Sequence, residues 1–283
     1  MQARLFFVAM AIVVMASGCG NVRTTDSTEE DVVDSLDIIL ATDSLFAEYD
    51  EKAEEAGNLP RTVDETFEDF IFNFASRERF QKERITFPLH LRAFDDDMVI
   101  YKEEWQYQEL FGGRDFYTVF FSSMEQSEIE KDSKVEAVDF ENINLTDSVV
   151  KTLHFDKQEG LWKLTKQTLS AIEKHPLHDF LQFYGRFASD SLFRHSALQN
   201  SIQYVTTDPE DEFTHIEGTI SAEQWDTFAP ELPRGEITNI NYGQPLARSR
   251  EIVLLKRGIA NGMYDELHFH NGERGWKLNY YEN

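Results

Sequence analysis

The chain has 283 residues, 41% of them hydrophobic and 23 of them phenylalanine, which suffices for real cores and, by length, for two domains. Its 52 Asp+Glu against 27 Lys+Arg leave a formal net charge of −25, a surface that repels phosphate backbones and argues against a nucleic-acid partner. A single cysteine, Cys19, excludes an internal disulfide.

In chain order, Arg4 is the only basic residue of a short start, and residues 5–15 (LFFVAMAIVVM) form an apolar run too short to span a bilayer. Ala16, Ser17 and Gly18 then place small residues before Cys19, so residues 1–18 read as a secretory signal peptide with its cleavage site. With cysteine directly after them, the stretch resembles a bacterial lipobox, with Ala16 where leucine is more usual. The resemblance implies cleavage before Cys19, lipidation of its thiol and anchoring in the cell envelope, at the outer membrane, facing either the periplasm or the cell surface. An ordinary signal peptide followed by a chance cysteine is the alternative. Residues 19–31 are polar and acidic and read as a tether. Residues 32–59 carry scattered apolar positions and read as a helical lead-in, ended by GNLP at 57–60.

From there the chain writes the same pattern twice. FEDFIFNFAS at 67–76 recurs as FLQFYGRFAS at 180–189, an offset of 113, and Phe80 recurs as Phe193. LHF at 153–155 with WKL at 162–164 recurs as LHF at 267–269 with WKL at 276–278, an offset of 114. Two markers with spacing kept to one residue indicate a duplicated unit, with a first domain over 60–172 and a second over 173–283. If the copies fold separately, damage to one core stays in its own copy.

Phe67, Phe70, Ile71 and Phe74 fall at i, i+3, i+4 and i+7, an apolar helical stripe, and Phe180, Phe183, Tyr184 and Phe187 repeat it. Thr62 and Glu65 have the spacing of a capping box, Pro176 suits a first helical turn, and Ser76 can cap a short second helix carrying Phe80. Residues 85–94 alternate as a strand with Pro88 marking an edge or bulge, and an acidic turn at 95–97 leads into a returning strand at 98–101. Later strands read at 116–123, 135–140, 148–155 and 161–168. In the second copy they read at 202–207, 236–242, 251–256, 266–270 and 276–281. The expected fold is α+β: two tandem cone-shaped domains, each with helices followed by a curved antiparallel sheet.

This layout, with its closing Trp-Lys-Leu strand, is similar to the nuclear-transport-factor-2-like (cystatin-like cone) fold. More narrowly, Asp64-Glu-x-Phe67 through Ser76, then Phe87-Pro-Leu89, resembles an envelope-lipoprotein family known only as a domain of unknown function. Glu223-Gln-Trp225, Asn239 through Gln244 and Arg257-Gly258 fit it as well. The resemblance covers residues 60–283 and implies the fold, but no activity.

Searches for chemistry return little. There is no dinucleotide or phosphate-binding loop, no H-E-x-x-H and no G-x-S-x-G. The acidic turns lack the spacing of a calcium loop, and His268 with His270 and Glu266 lacks a further metal ligand, so no metal or cofactor is assigned. His175 reads as a cap or an exposed imidazole. The candidate pocket or interface residues are Trp105, Trp225, Tyr242, His154 and His268. The histidines are expected on the outer sheet face, at a seam where the two copies pack against each other. The leading function is a non-catalytic module that binds or scaffolds an unidentified envelope ligand or protein. The alternative is a small-molecule isomerase or hydrolase using a cone pocket, which calls for a carboxylate or histidine deep in a closed cavity. If Cys19 is lipidated, Cys19→Ala moves the protein from the detergent fraction to the soluble one, since more than one acyl chain is needed for stable anchoring. Unchanged partitioning would refute the anchor.

Overall fold

The computed structural model describes residues 63–283. The expected leader, tether and lead-in, with Cys19 and Thr62, lie outside the described residues. Helix α1 (Phe67–Ser76) buries Phe67, Phe70, Ile71 and Phe74, as the stripe requires. Its N-cap is Thr66, whose Oγ1 accepts the Asp69 amide at 3.2 Å and satisfies one of the first-turn N–H groups. Helix α2 (Glu78–Glu83) follows, then β1 (Ile85–Ala93), β2 (Asp96–Ile100), β3 (Phe116–Phe121), a 3₁₀ segment Met124–Lys131, β4 (Ala137–Asn144), β5 (Val149–Gln158) and β6 (Leu161–Ala171). A series in the same order comes next: α3 (His178–Ser189), α4 (Ser191–Ser196), β7 (Leu198–Asp208), β8 (Asp211–Ser221), α5 (Trp225–Phe228), β9 (Glu236–Asn241), β10 (Glu251–Gly258), β11 (Tyr264–Gly272) and β12 (Gly275–Glu282). Pro176 precedes α3 rather than entering its first turn, and Leu177 is the N-cap.

Turn chemistry accounts for the tight connections. Glu159 and Gly160 both take positive φ, 54° and 81°, which closes the β5–β6 hairpin in the sense that matches strand twist. Pro88 lies where the β1–β6 register shifts, so it removes no ladder hydrogen bond from a regular stretch. That β1–β6 pairing is parallel, as is β7–β12, whereas the sequence suggested purely antiparallel sheets. The parallel pairs arise because each leading hairpin folds back beside the last strand of its own series.

Two six-stranded sheets result, ordered β2-β1-β6-β5-β4-β9 and β3-β10-β11-β12-β7-β8. The expected division at 172/173 does not divide the sheets: β3 of the first series pairs with β10, and β9 of the second pairs with β4. The strands are exchanged reciprocally. Both cores are shared in consequence. Phe120, Ile143 and Val150 pack with Phe180, Trp225 and Phe269, while Ile240, Tyr242, Val253 and Leu255 pack with Phe67, Phe70, Phe155 and Trp162. Alternate residues of β3 and β10 serve the two cores, so both faces are buried and both strands read as near-continuous apolar runs, FYTVFF and EIVLL.

Where β3 and β9 meet, side chains replace a backbone ladder. Thr118 Oγ1 donates to the Thr238 carbonyl at 2.6 Å and accepts the Thr238 amide at 3.0 Å. Thr238 Oγ1 donates to the Thr118 carbonyl at 3.0 Å and accepts the Thr118 amide at 2.8 Å. Asn239 continues the seam: its Oδ1 accepts the Phe120 amide at 3.0 Å and its Nδ2 donates to Glu141 at 2.7 Å. Glu141 also faces His175 Nε2 at 3.3 Å, and His175 Nδ1 accepts the Leu177 amide at 3.1 Å, which puts the ring proton on Nε2. The His175 imidazole is therefore buried at the seam and not exposed, while its Nδ1 takes the amide of the N-cap residue Leu177.

Thr118→Val leaves the buried Thr238 amide and carbonyl without partners, so a loss of about 1–3 kcal/mol is expected in urea unfolding. Thr238→Val should match it, and the double variant should lose less than the sum, since each single variant orphans the same pair of strands. Full additivity would mean that the crossing contributes nothing to coupling. Because the cores are shared, Phe70→Ala and Phe183→Ala should each lower one common calorimetric transition; two separately shifting transitions would contradict this.

Candidate functional site

Helix α1 carries a second stripe beside its core stripe. Glu68, Phe72, Ala75 and Ser76, at i, i+4, i+7 and i+8, form one wall of a groove of about 890 Å³. The loop between β2 and β3 forms the second wall with Tyr107, Phe111 and Arg114, and the β10–β11 turn forms the third with residues 257–264. The strand exchange makes this possible: Tyr117 of β3 and Arg257 of β10 are cross-strand neighbours, which brings the two series to one site.

The floor is polar. Tyr117 Oη donates to Glu68 Oε1 at 3.1 Å, and Arg257 Nη1 donates to Glu130 Oε2 at 2.8 Å. Glu130, on the 3₁₀ segment, is buried but is not among the groove-lining residues. Burial pushes the Glu130 carboxyl upward, with Arg257 opposing. Burial, then Glu68, pushes the Tyr117 phenol upward, so it stays a donor. Burial alone pulls the Arg257 guanidinium down, but Glu130 and Tyr117 outweigh it and leave it raised. Behind them lies Tyr242, pushed upward by burial and then by Glu130 and Glu68. Its hydroxyl and Glu130 Oε1 have no hydrogen-bond partner among the described residues.

The residues singled out from sequence fall elsewhere. Trp105 is core, its Nε1 donating to the buried Gln81 side chain at 3.3 Å, and Trp225 is core beside Tyr281. Tyr242 packs against Phe67 behind the groove. His154 bonds Asp139 at 2.6 Å and Thr168 at 3.0 Å, all on its own sheet. His268 bonds Glu266 and lies over Tyr280 at 4.3 Å. Both imidazoles are partly exposed and neither marks the seam; His175 does. Among the described residues no group of three or more His, Cys, Asp or Glu could hold a metal ion.

Sequence reasoning missed Glu68, Tyr117, Glu130 and Arg257. One signal could have found three of them. At the corresponding places of the other series, set by the helix offset and by strand register, stand Leu181, Ile237 and Ile143, all fully buried. A smaller groove of about 580 Å³ lies there, under α3. The apolar trio shows that this position can be plain core, so the polar set in the first series is not required by the fold.

An α+β molecule with two curved sheets, each fronted by helices, belongs to the nuclear-transport-factor-2-like class. In agreement, an NTF2-like protein from Bacteroides fragilis NCTC 9343 shares 35% identity and superposes with a TM-score of 0.73, covering 79% of this chain and 97% of that one. The chain belongs to the family DUF4348, a domain of unknown function, which matches residues 47–283. None of the curated proteins matches the chain.

The buried carboxyl supplies a pH test. A folded-state value raised above the ordinary glutamate range, about 4.3, means that the native state holds the proton longer than the unfolded one. The stability this group contributes is complete below that ordinary value and is lost as pH rises through the raised one. Relative to Glu130→Gln, the native protein should therefore lose stability between about pH 4 and the raised value, read as urea midpoints across pH. Parallel curves for the two proteins would contradict a raised Glu130.

Proposed function

We propose that this chain is a non-catalytic binding module of the cell envelope, two tandem cone domains held on a lipid tether at Cys19. The groove under α1 is its ligand site. The observation that carries the reading is the groove itself: about 890 Å³, open, and walled by Phe72, Phe111 and Tyr117 over a polar floor. Support for the tether comes from the apolar run and small residues before Cys19, and support for duplication from the two element series. One observation favours the isomerase or hydrolase alternative, the raised Glu130 carboxyl. Against it, Glu130 is held by Arg257 and does not line the groove, so this raised carboxyl does not face a bound molecule there.

A Cβ added at Gly262, in the β10–β11 turn, meets no atom within 4 Å and needs no positive φ, so Gly262→Trp places a bulky ring at the groove's rim from an unstrained position. The neutral apolar dye Nile red should fluoresce on binding the native protein, and the variant should bind about tenfold more weakly, a difference of about 1.4 kcal/mol. Equal binding by both proteins would remove the groove as the ligand site.

A further inference from the structure

The groove's charges point to a ligand class. Four ionisable side chains other than tyrosine line it: Glu68, Glu109, Arg114 and Arg257. Both arginines are answered by carboxylates outside the lining, Arg257 by Glu130 at 2.8 Å and Arg114 by Glu236 at 3.5 Å. Neither glutamate forms a salt bridge with another described residue, and Glu68 takes only the neutral phenol of Tyr117. The groove thus keeps a negative excess in a molecule whose formal charge is already −25. Glu68 sits in the first turn of α1, where the helix end offers about half a positive charge, enough to hold the carboxylate but not to cancel it.

The walls complete the match. Phe72 stacks with Phe111 at 5.8 Å and meets Tyr117 edge-on at 5.6 Å, so three aromatic rings form one cluster in the wall, and Tyr117 joins it to the carboxylate. Aromatic faces are negative at their centres and attract an organic cation, most strongly where water is excluded. An anion gains nothing here, because each arginine already has a partner. A purely apolar molecule leaves the half-buried Glu68 desolvated and unpaired, which is costly. The other series provides the contrast, since Leu181, Ile237 and Ile143 stand where Glu68, Tyr117 and Arg257 stand here, and the groove there carries two arginines, Arg186 and Arg234, against one glutamate, Glu173.

We infer that the groove under α1 binds a small amphipathic cation, its ammonium or similar group beside Glu68 and its apolar body along Phe72, Phe111 and the β10–β11 turn. This rests on the groove being the ligand site. In it Glu68 is the charge-recognising residue, Tyr117 holds its carboxylate in place, and the Arg257–Glu130 pair keeps the floor from becoming a competing anion site.

The test compares three probes of one chain length, octyltrimethylammonium, octanol and octanoate, by calorimetric titration. The full-length chain carrying Cys19→Ala is used, so that no acyl chain competes for the groove. The cation should bind about tenfold or more tightly over the alcohol, and octanoate should bind most weakly. Glu68→Gln should remove the cation's advantage, weakening the cation and, by relieving the desolvated charge, strengthening octanol, and rising salt should weaken only the cation. Equal binding of cation and alcohol, or a preference for octanoate, would overturn the ligand class while the groove stands. Loss of the cation's preference in Gly262→Trp is expected too. If that variant binds all three probes as the parent does, the groove reading itself fails, and this inference with it. Thermal melts of both variants establish that they are folded.

Discussion

The molecule depends on the crossing of β3 and β9. Each is the edge strand of its sheet, and an unpaired edge exposes N–H and C=O groups that must find partners. Thr118 and Thr238 solve this reciprocally, with each hydroxyl donating once and accepting once, so four hydrogen bonds use every polar group of the two residues that faces the seam. Threonine suits the place because its hydroxyl is short enough to reach a neighbouring backbone and its methyl favours a strand. Serine would keep the bonds and lose the strand preference, while valine would keep the strand and strand the bonds.

From the crossing follows the division of labour between the two element series. Exchange sets Tyr117 beside Arg257 on one side of the pseudo-symmetric pair and Ile237 on the other. Side chains that are free of the seam can then diverge, because the fold is secured by the aromatic stripes of α1 and α3 and by the threonines. One position has kept Leu181, Ile237 and Ile143, each fully buried. Its counterpart is polar, at the expense of one buried carboxyl oxygen, Glu130 Oε1, and one tyrosine hydroxyl without partners among the described residues. Such groups weaken a core, and a site is the common setting in which that loss is tolerated.

The helices, the order of strands and the closing hairpins were legible because each rests on local rules: a 3.6-residue stripe, alternation, and glycine or positive φ at the turns. Thr66 shows the limit of such rules, since Thr62 and Thr66 both precede the stripe and only the helix's actual start decides between them. The exchange was illegible for a deeper reason. In a chain that writes the same strands twice, β3 and β9 have interchangeable patterns, and swapping equivalents changes every partner while leaving every local signal intact. The site was hidden with it, because Tyr117 and Arg257 are 140 residues apart in sequence and meet only through the swapped pairing. His175 was misread for a related reason: its partner Glu141 comes from a strand whose neighbour is β9.

Charge ties these levels together. Three interior cations are each matched by a carboxylate: Arg84 by Asp64 through two hydrogen bonds at 2.7 and 2.9 Å, Lys256 by Asp265 at 3.0 Å, and Arg257 by Glu130. A buried charge left alone is costly, so each of these three cations takes a carboxylate with it. Asp64 also accepts the Trp162 amide at 2.9 Å and Asp265 the Tyr281 hydroxyl at 2.9 Å, which fixes these pairs in place. Each such pair consumes one charge of either sign, so the acid excess of the sequence lies outside these pairs. The field outside the molecule is negative for that reason, and a concave site with low-dielectric aromatic walls focuses it. The same interior pairing that stabilises the fold answers both groove arginines from outside the lining and so leaves Glu68 and Glu109 uncompensated.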